Sequence, residues 1–188
     1  MIELIVFLGN PGNEYNTARH NVGWLVAEHN ALTGWRKKYK GRYTTVNTVH
    51  FLMPETYMNA SGESVAMLTS FFHISAAHIL VVHDELDLPL GTVALKYSGG
   101  LNGHNGLRSL KTHLKTADFW RLRIGIGRPI QGTVHNWVLS SFTDEEKNVL
   151  VPVLTASTLL ISQILEQEPE FLMPEWQKKV LVPQPLNA

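Results

Sequence analysis

The sequence contains no cysteine in 188 residues. That excludes a disulfide framework, a thiolate metal site and a cysteine nucleophile at once. It also has no excess of either charge, because sixteen basic side chains balance sixteen acidic ones. Any nucleic-acid contact must then come from a local patch rather than from the whole surface. The opening Met1-Ile2-Glu3-Leu4-Ile5-Val6-Phe7-Leu8 is too short to span a bilayer and lacks the basic start of a secretory signal. A cytoplasmic protein without a membrane partner is the expectation. No internal repeat or low-complexity segment interrupts the chain.

What is present suits one folded unit. A hydrophobic fraction of 44% with 17% charged residues is ordinary globular composition, and the length fits a single domain over residues 1–188. Residues 2–8 read as a central strand ended by Gly9-Asn10-Pro11-Gly12. A helix is predicted from Thr17, a good N-cap, to about Leu32, and one strand over residues 43–53. Residues 61–72 read as a helix, and residues 79–82 as a buried strand followed by a solvated acidic turn.

Further strands are predicted at 93–97 and 120–126, with a loop at 99–103 and a helix at 105–115 between them. Thr143-Asp144-Glu145-Glu146 is a capping-box start for a late helix, which Pro152 should kink or delay. The tail after about residue 168 carries Pro169, Pro174, Pro183 and Pro185 and is expected to be partly irregular. This order of elements predicts an α/β layered fold, a mixed, mostly parallel sheet packed between helices.

Polar residues that a core does not need gather at element ends. Asn10, Tyr15, Arg19, His20 and Asn21 follow the first strand, and Tyr57, Met58 and Asn59 precede a helix. His83 and Asp84 end a strand, and Gly103-His104-Asn105-Gly106 opens another helix. An α/β protein assembles its site beyond strand ends in this way. Taken singly, His20 reads as a surface or capped histidine, and Asn59 and Asp84 as caps. Their joint recurrence favours a site. Gly9-Asn10-Pro11-Gly12 lacks both the dinucleotide glycine pattern and the Lys-Ser/Thr pair of a phosphate loop. No second cluster with metal-ligand spacing accompanies His83, Asp84, Glu85 and Asp87, so no metal or cofactor is expected.

At these residues the sequence resembles the bacterial peptidyl-tRNA hydrolase family. The resemblance is carried by Phe7-Leu8-Gly9-Asn10-Pro11-Gly12 with Tyr15, by Thr17-Ala18-Arg19-His20-Asn21-Val22-Gly23, and by Pro54, Thr56, Tyr57, Met58, Asn59, Ser61 and Gly62. It continues through His83-Asp84-Glu85-Leu86-Asp87-Leu88-Pro89, Gly103-His104-Asn105-Gly106-Leu107 and Arg121-Leu122-Arg123-Ile124-Gly125-Ile126-Gly127. These segments follow the family order from residue 5 to about 130.

The resemblance implies a monomeric hydrolase that cuts the ester between a peptide and the terminal ribose of tRNA, recycling tRNA from stalled translation. It implies His20 as catalytic base and Asp84 as its partner. Asn10, Asn59 and Asn105 then line the substrate site, Met58 and His104 stand beside it, and Tyr15 lies near the tRNA end. Two departures stand out. Leu101-Asn102 replaces the His-Gly that often precedes Gly103, altering the entrance loop, and Ala94 stands where some members carry a lysine.

The residues suit ester hydrolysis on their own chemistry. Neutral imidazole can take a proton from water near neutral pH, and a carboxylate can fix its tautomer. Ser61 and Ser64 read equally well as helix caps, so direct water attack is preferred. On the RNA side, the helix from Asn105 offers unpaired amides to a phosphate. Arg108, Lys111 and Lys115 share one helical face, and Leu107, Leu110 and Leu114 another. Lys96 and Arg123 extend the patch if their strands converge. The run Arg36, Lys37, Lys38, Lys40 and Arg42 reads as a solvated loop. Two other functions fit less well: an RNA-binding relative without hydrolysis, and a hydrolase of small esters. Replacing Arg108 and Lys111 together is expected to weaken tRNA binding and flatten its salt dependence. An unchanged salt slope in a binding titration removes this face from the interface.

Overall fold

The computed structural model describes residues 1–182; Pro183 and Pro185, where an irregular end is expected, lie outside them. The strands are β1 (Leu4–Phe7), β2 (Arg36–Lys38), β3 (Gly41–Val46), β4 (Val49–Pro54), β5 (Ile79–Glu85), β6 (Thr92–Tyr97), β7 (Trp120–Gly125) and β8 (Lys179–Val180). They form one sheet in the order β2-β3-β4-β1-β5-β7-β6-β8. The four central strands β4, β1, β5 and β7 pair in parallel. The margins pair antiparallel. The sheet is mixed as expected but not mostly parallel: three of its seven pairings are parallel, all at the centre, because the hairpin β3–β4 and the returning β6 add antiparallel margins.

Strand alternation sorts the core into two layers. Leu4, Val6 and Leu8 face one side with Val81, packed under α2 (Ser61–Phe72) and α3 (Asn105–Leu114). Ile5 and Phe7 face the other with Leu80 and Val82, under α1 (Val22–His29), α5 (Asp144–Glu166) and α6 (Pro169–Trp176). A short α4 (Val134–Leu139) crosses one end of the sheet beside the turn that carries His20. By length and composition α5 is apolar enough to cross a membrane. Its Val153, Leu160, Ile161 and Ile164, however, are spent on the core at 0–2% exposure.

Several local expectations are corrected. Thr17 caps no helix: its hydroxyl bonds that of Ser141 at 2.7 Å. Residues 19–21 form a 3-10 turn, and α1 begins only at Val22. The bridge between Ala18 and Ser141 holds the chain extended there. Residues 43–53 are not one strand but parts of β3 and β4, joined by a two-residue turn with Asn47 left-handed at φ 54. Alternation alone does not reveal that turn, because both arms keep the same period.

Arg36–Lys38 is no loop but the edge strand β2, fully exposed, where cations discourage pairing with other chains. The tail is more regular than expected. Pro169 opens α6 at a position that tolerates proline, and Trp176 is buried with its indole N–H donated to Gln163 Oε1 at 3.0 Å. The capping box at Thr143 and Glu146 is present, and α5 runs through Pro152 with no delayed start.

Gly23 shows how tightly α1 is set on the sheet. A Cβ there would lie 2.5 Å from the Leu8 carbonyl oxygen and 2.7 Å from that of Val82. Both obstacles are backbone of central strands and cannot yield cheaply. Gly23→Ala is expected to cost about 1–3 kcal/mol by overpacking, which lowers the thermal midpoint by roughly 2–12 °C for a domain of this size. A midpoint unchanged in calorimetry refutes the close approach.

Candidate active site

The site begins where β1 and β5 end. Asp84 stands on β5, one residue before its end, on the face that α1 covers. His20 arrives on the 3-10 turn that leads into α1. Its Nδ1 lies 2.8 Å from Asp84 Oδ1, and both side chains are buried. His104, the N-cap of α3, brings Nε2 to 2.9 Å from the same carboxylate oxygen. His104 Nδ1 accepts from the amides of Gly106 and Leu107. Its tautomer is therefore set, with the proton on Nε2 and donated to Asp84. By the same bookkeeping Asp84 receives the Nδ1 proton of His20, which leaves His20 Nε2 as the basic nitrogen.

The electrostatics follow from this sharing. Burial alone would raise the Asp84 pKa. The charges of His20 and His104 and the hydrogen bonds from both rings overcome it and hold the carboxyl well below its ordinary range. For His20, burial disfavours the charged ring, but the Asp84 charge and hydrogen bond outweigh it and the pKa is raised. His83 differs. Burial first, and then the neighbouring His104 charge, push its pKa well down. Its Nδ1 meets the Asp84 carbonyl at 2.7 Å, and its buried Nε2 has no partner among the described residues. The expected solvated acidic turn is thus corrected. His83, Asp84 and Glu85 belong to the strand and are all buried, and hydrogen bonds to both carboxylates make their burial tolerable.

Asn10 is held by a reciprocal pair. Its amide donates to Asn21 Oδ1 and its carbonyl accepts from Asn21 Nδ2, each at 2.9 Å. Asn10 Oδ1 in turn accepts from the Met58 amide at 2.7 Å. That contact fixes the carboxamide orientation and leaves Nδ2 as the donor without a partner among the described residues. Asn59 is exposed and Asn105 is exposed at the start of α3. Both line the same cleft of 670 Å³ as Asn10, Tyr15, His20, Met58, Asp84 and His104. All the residues implicated in the ester chemistry therefore converge.

One wall went unrecognised in the sequence. Val134, His135, Val138 and Leu139 of α4 line the cleft together with Leu86 and Leu101. Arg19 secures that wall. Its guanidinium binds both carboxylate oxygens of Glu146 at 2.9 and 2.7 Å and lies 3.7 Å from the centre of the Trp137 ring. The sequence offered only an arginine next to His20; its burial, which requires a carboxylate from elsewhere, is known from the structure alone.

The expected RNA face is changed in detail. Arg108 and Lys111 are exposed and Leu107 and Leu110 are buried, as the spacing predicts. Lys115, however, is a left-handed cap beyond the end of α3. The first amides of α3 are not unpaired, because His104 occupies two of them. Lys96 and Arg123 are set by register on adjoining strands, Lys96 opposite Arg121. Arg123 is not a free cation: its Nε donates to Glu85 Oε2 at 2.9 Å.

The arrangement has counterparts among known proteins. A family model described as peptidyl-tRNA hydrolase matches residues 4–183. The peptidyl-tRNA hydrolase of Treponema pallidum is 44% identical over 96% of this chain and 97% of its own. That of an Azoarcus species is 47% identical over 78% of this chain and 71% of its own. The crystal structure of the Acinetobacter baumannii peptidyl-tRNA hydrolase superposes with a TM-score of 0.84, at 35% identity and 94% coverage of both chains. The chain belongs to the peptidyl-tRNA hydrolase family.

Within this peptidyl-tRNA hydrolase family member, the nitrogen and oxygen atoms of His20, Asp84 and His104 lie within 4.8 Å of one another, a grouping that could also ligate a metal. The spacing argues for proton chemistry instead. Two ligands at about 2.0–2.1 Å on a tetrahedral ion stand roughly 3.3 Å apart, whereas both rings meet Asp84 Oδ1 at hydrogen-bond distance. His104 Nε2 would also have to give up the proton that its other nitrogen forces onto it. An NMR titration of the His20 ring is expected to give a pKa above the ordinary imidazole value. Asp84→Asn is expected to bring it below that value, since burial then acts unopposed. A titration indifferent to the substitution refutes the pairing.

Proposed function

We propose that the chain cleaves the ester between a peptide, or an N-blocked amino acid, and the 3′-terminal ribose of tRNA, with His20 as general base. His20 Nε2 takes a proton from water as the water oxygen attacks the acyl carbonyl. Asp84 holds the ring through Nδ1 and stabilises the imidazolium that forms. The tetrahedral intermediate then collapses, the bond to the ribose oxygen breaks, and that oxygen takes the proton back from His20. The products are a free carboxylic acid and a tRNA with both terminal hydroxyls restored.

The observation that carries this reading is the 2.8 Å contact of His20 Nδ1 with a buried carboxylate at the floor of the cleft. Asn10 Nδ2, and Asn59 beside it, supply uncharged donors for the oxyanion or for the attacking water. A serine nucleophile has no support: Ser61 and Ser64 are buried and donate to the carbonyls of Met58 and Tyr39. The apolar α4 wall suits the peptide. His104 orients Asp84 from its second side, and Asn105, Met58 and Tyr15 border the acceptor end. Lys96, Arg108, Lys111 and the remaining guanidinium nitrogens of Arg123 meet phosphates. We further propose that the protein acts as a monomer in the cytoplasm, recycling tRNA from stalled translation without a metal or cofactor.

His20→Ala is expected to lower turnover by at least about two orders of magnitude, the range of general-base catalysis, while tRNA binding stays near normal. Single-turnover assays should also show strong preference for N-blocked over free aminoacyl-tRNA. Turnover near the parent's in the variant removes His20 from the mechanism, and equal cleavage of both substrates marks a general deacylase.

A further inference from the structure

The loop between β6 and α3 carries both an entrance side chain, Leu101, and the N-cap His104 that binds Asp84. Three hydrogen bonds hold it against the sheet, and a fourth closes it on itself. Arg121 donates Nη1 to the Gly100 carbonyl at 2.7 Å and Nη2 to that of Ser98. The Leu101 carbonyl accepts from the His104 amide at 2.9 Å. Asn102 donates Nδ2 to Glu85 Oε1 at 3.1 Å. Glu85 is itself 3% exposed and receives Arg123 Nε on its other oxygen and the Asp87 amide at 3.1 Å.

The backbone of this loop needs holding. Ser98, Gly99, Asn102 and Gly103 all have positive φ, with Ser98 at 53° and Asn102 at 47°. For a residue with a Cβ that conformation is uphill, least so for asparagine. Asn102 therefore combines a tolerated left-handed backbone with a side-chain donor for a buried carboxylate.

We propose that Asn102 is a positioning residue: by pinning the entrance loop to Glu85 it keeps Leu101 over the cleft and His104 on Asp84. The proposal rests on the His20–Asp84 reading of the reaction. Its chemical consequence has a definite sign. The His104 N–H draws charge from the oxygen that His20 also uses. When the loop slackens and that donor is lost, Asp84 holds the His20 proton more tightly. The His20 pKa rises, and the acid limb of kcat/KM moves to higher pH.

Two variants and the parent test this with N-blocked aminoacyl-tRNA across pH. Asn102→Gly keeps the left-handed backbone and removes only the donor. Its expected effects are an increase in KM of about 2- to 12-fold, the worth of one hydrogen bond, and an acid limb displaced upward. Asn102→Asp sets a carboxylate against Glu85 and is expected to exceed Asn102→Gly in both respects. Parental KM and an unmoved acid limb in both variants overturn the proposal, as does an Asn102→Asp no worse than Asn102→Gly. His20→Ala, assayed alongside, separates the two readings. If it stays active the proton-transfer mechanism itself fails; if it is inactive while the Asn102 variants match the parent, only the pin fails.

Discussion

Everything at this site hangs on one carboxylate oxygen. Asp84 Oδ1 accepts from two imidazoles at once, and the side chain is almost wholly withdrawn from water. An isolated carboxylate in that position would cost several kcal/mol and would protonate. Two directed N–H donors reverse the balance, so Asp84 stays ionised and orients both rings. One ring, His104, is fixed as a donor to Asp84 by the helix amides it caps. The other, His20, keeps a free basic nitrogen. The same local constraint thus assigns different roles to two chemically identical side chains.

The fold exists around that oxygen in a literal sense. Strand alternation aims Asp84 at the α1 face and His83 at the α3 face, so the segments carrying His20 and His104 approach the end of β5 from opposite sides. Gly23 lets α1 settle onto the backbone of β1 and β5. Arg19 ties the His20 turn to Glu146, whose other task is to complete the cap of α5. Arg19 is buried, Glu146 is half-buried, and the guanidinium also stacks on Trp137, so α4, the His20 turn and the start of α5 are tied together. The cleft's apolar wall and its base are consequently held by a common anchor.

A second buried carboxylate links the entrance loop to the sheet. Glu85 joins Arg123 on the sheet to Asn102 on the entrance loop and accepts from the Asp87 amide, and these contacts keep it ionised despite its burial. The cations are divided between two duties. Arg121 and Arg123 are largely consumed in holding structure, whereas Arg108 and Lys111 project from α3 into solvent. A count of positive residues would treat all four alike.

The sequence by itself determined the class of fold, the central first strand, the α2 boundaries, the capped start of α5 and the family. Those properties depend on local periodicity, on caps within three or four residues of each other, or on contiguous motifs. It also singled out His20, Asp84, Asn10 and His104 as candidates. Only the tertiary structure decided that His20 and His104 share one oxygen, that His104 occupies the helix amides, and that Arg123 is engaged by Glu85. It likewise split residues 43–53 into a hairpin and made Arg36–Lys38 an edge strand. The reason is physical: a hydrogen bond across 64 or 17 residues leaves no local period for a sequence to display. Whether a charge is free or already paired depends on which distant segments the sheet order brings beside it.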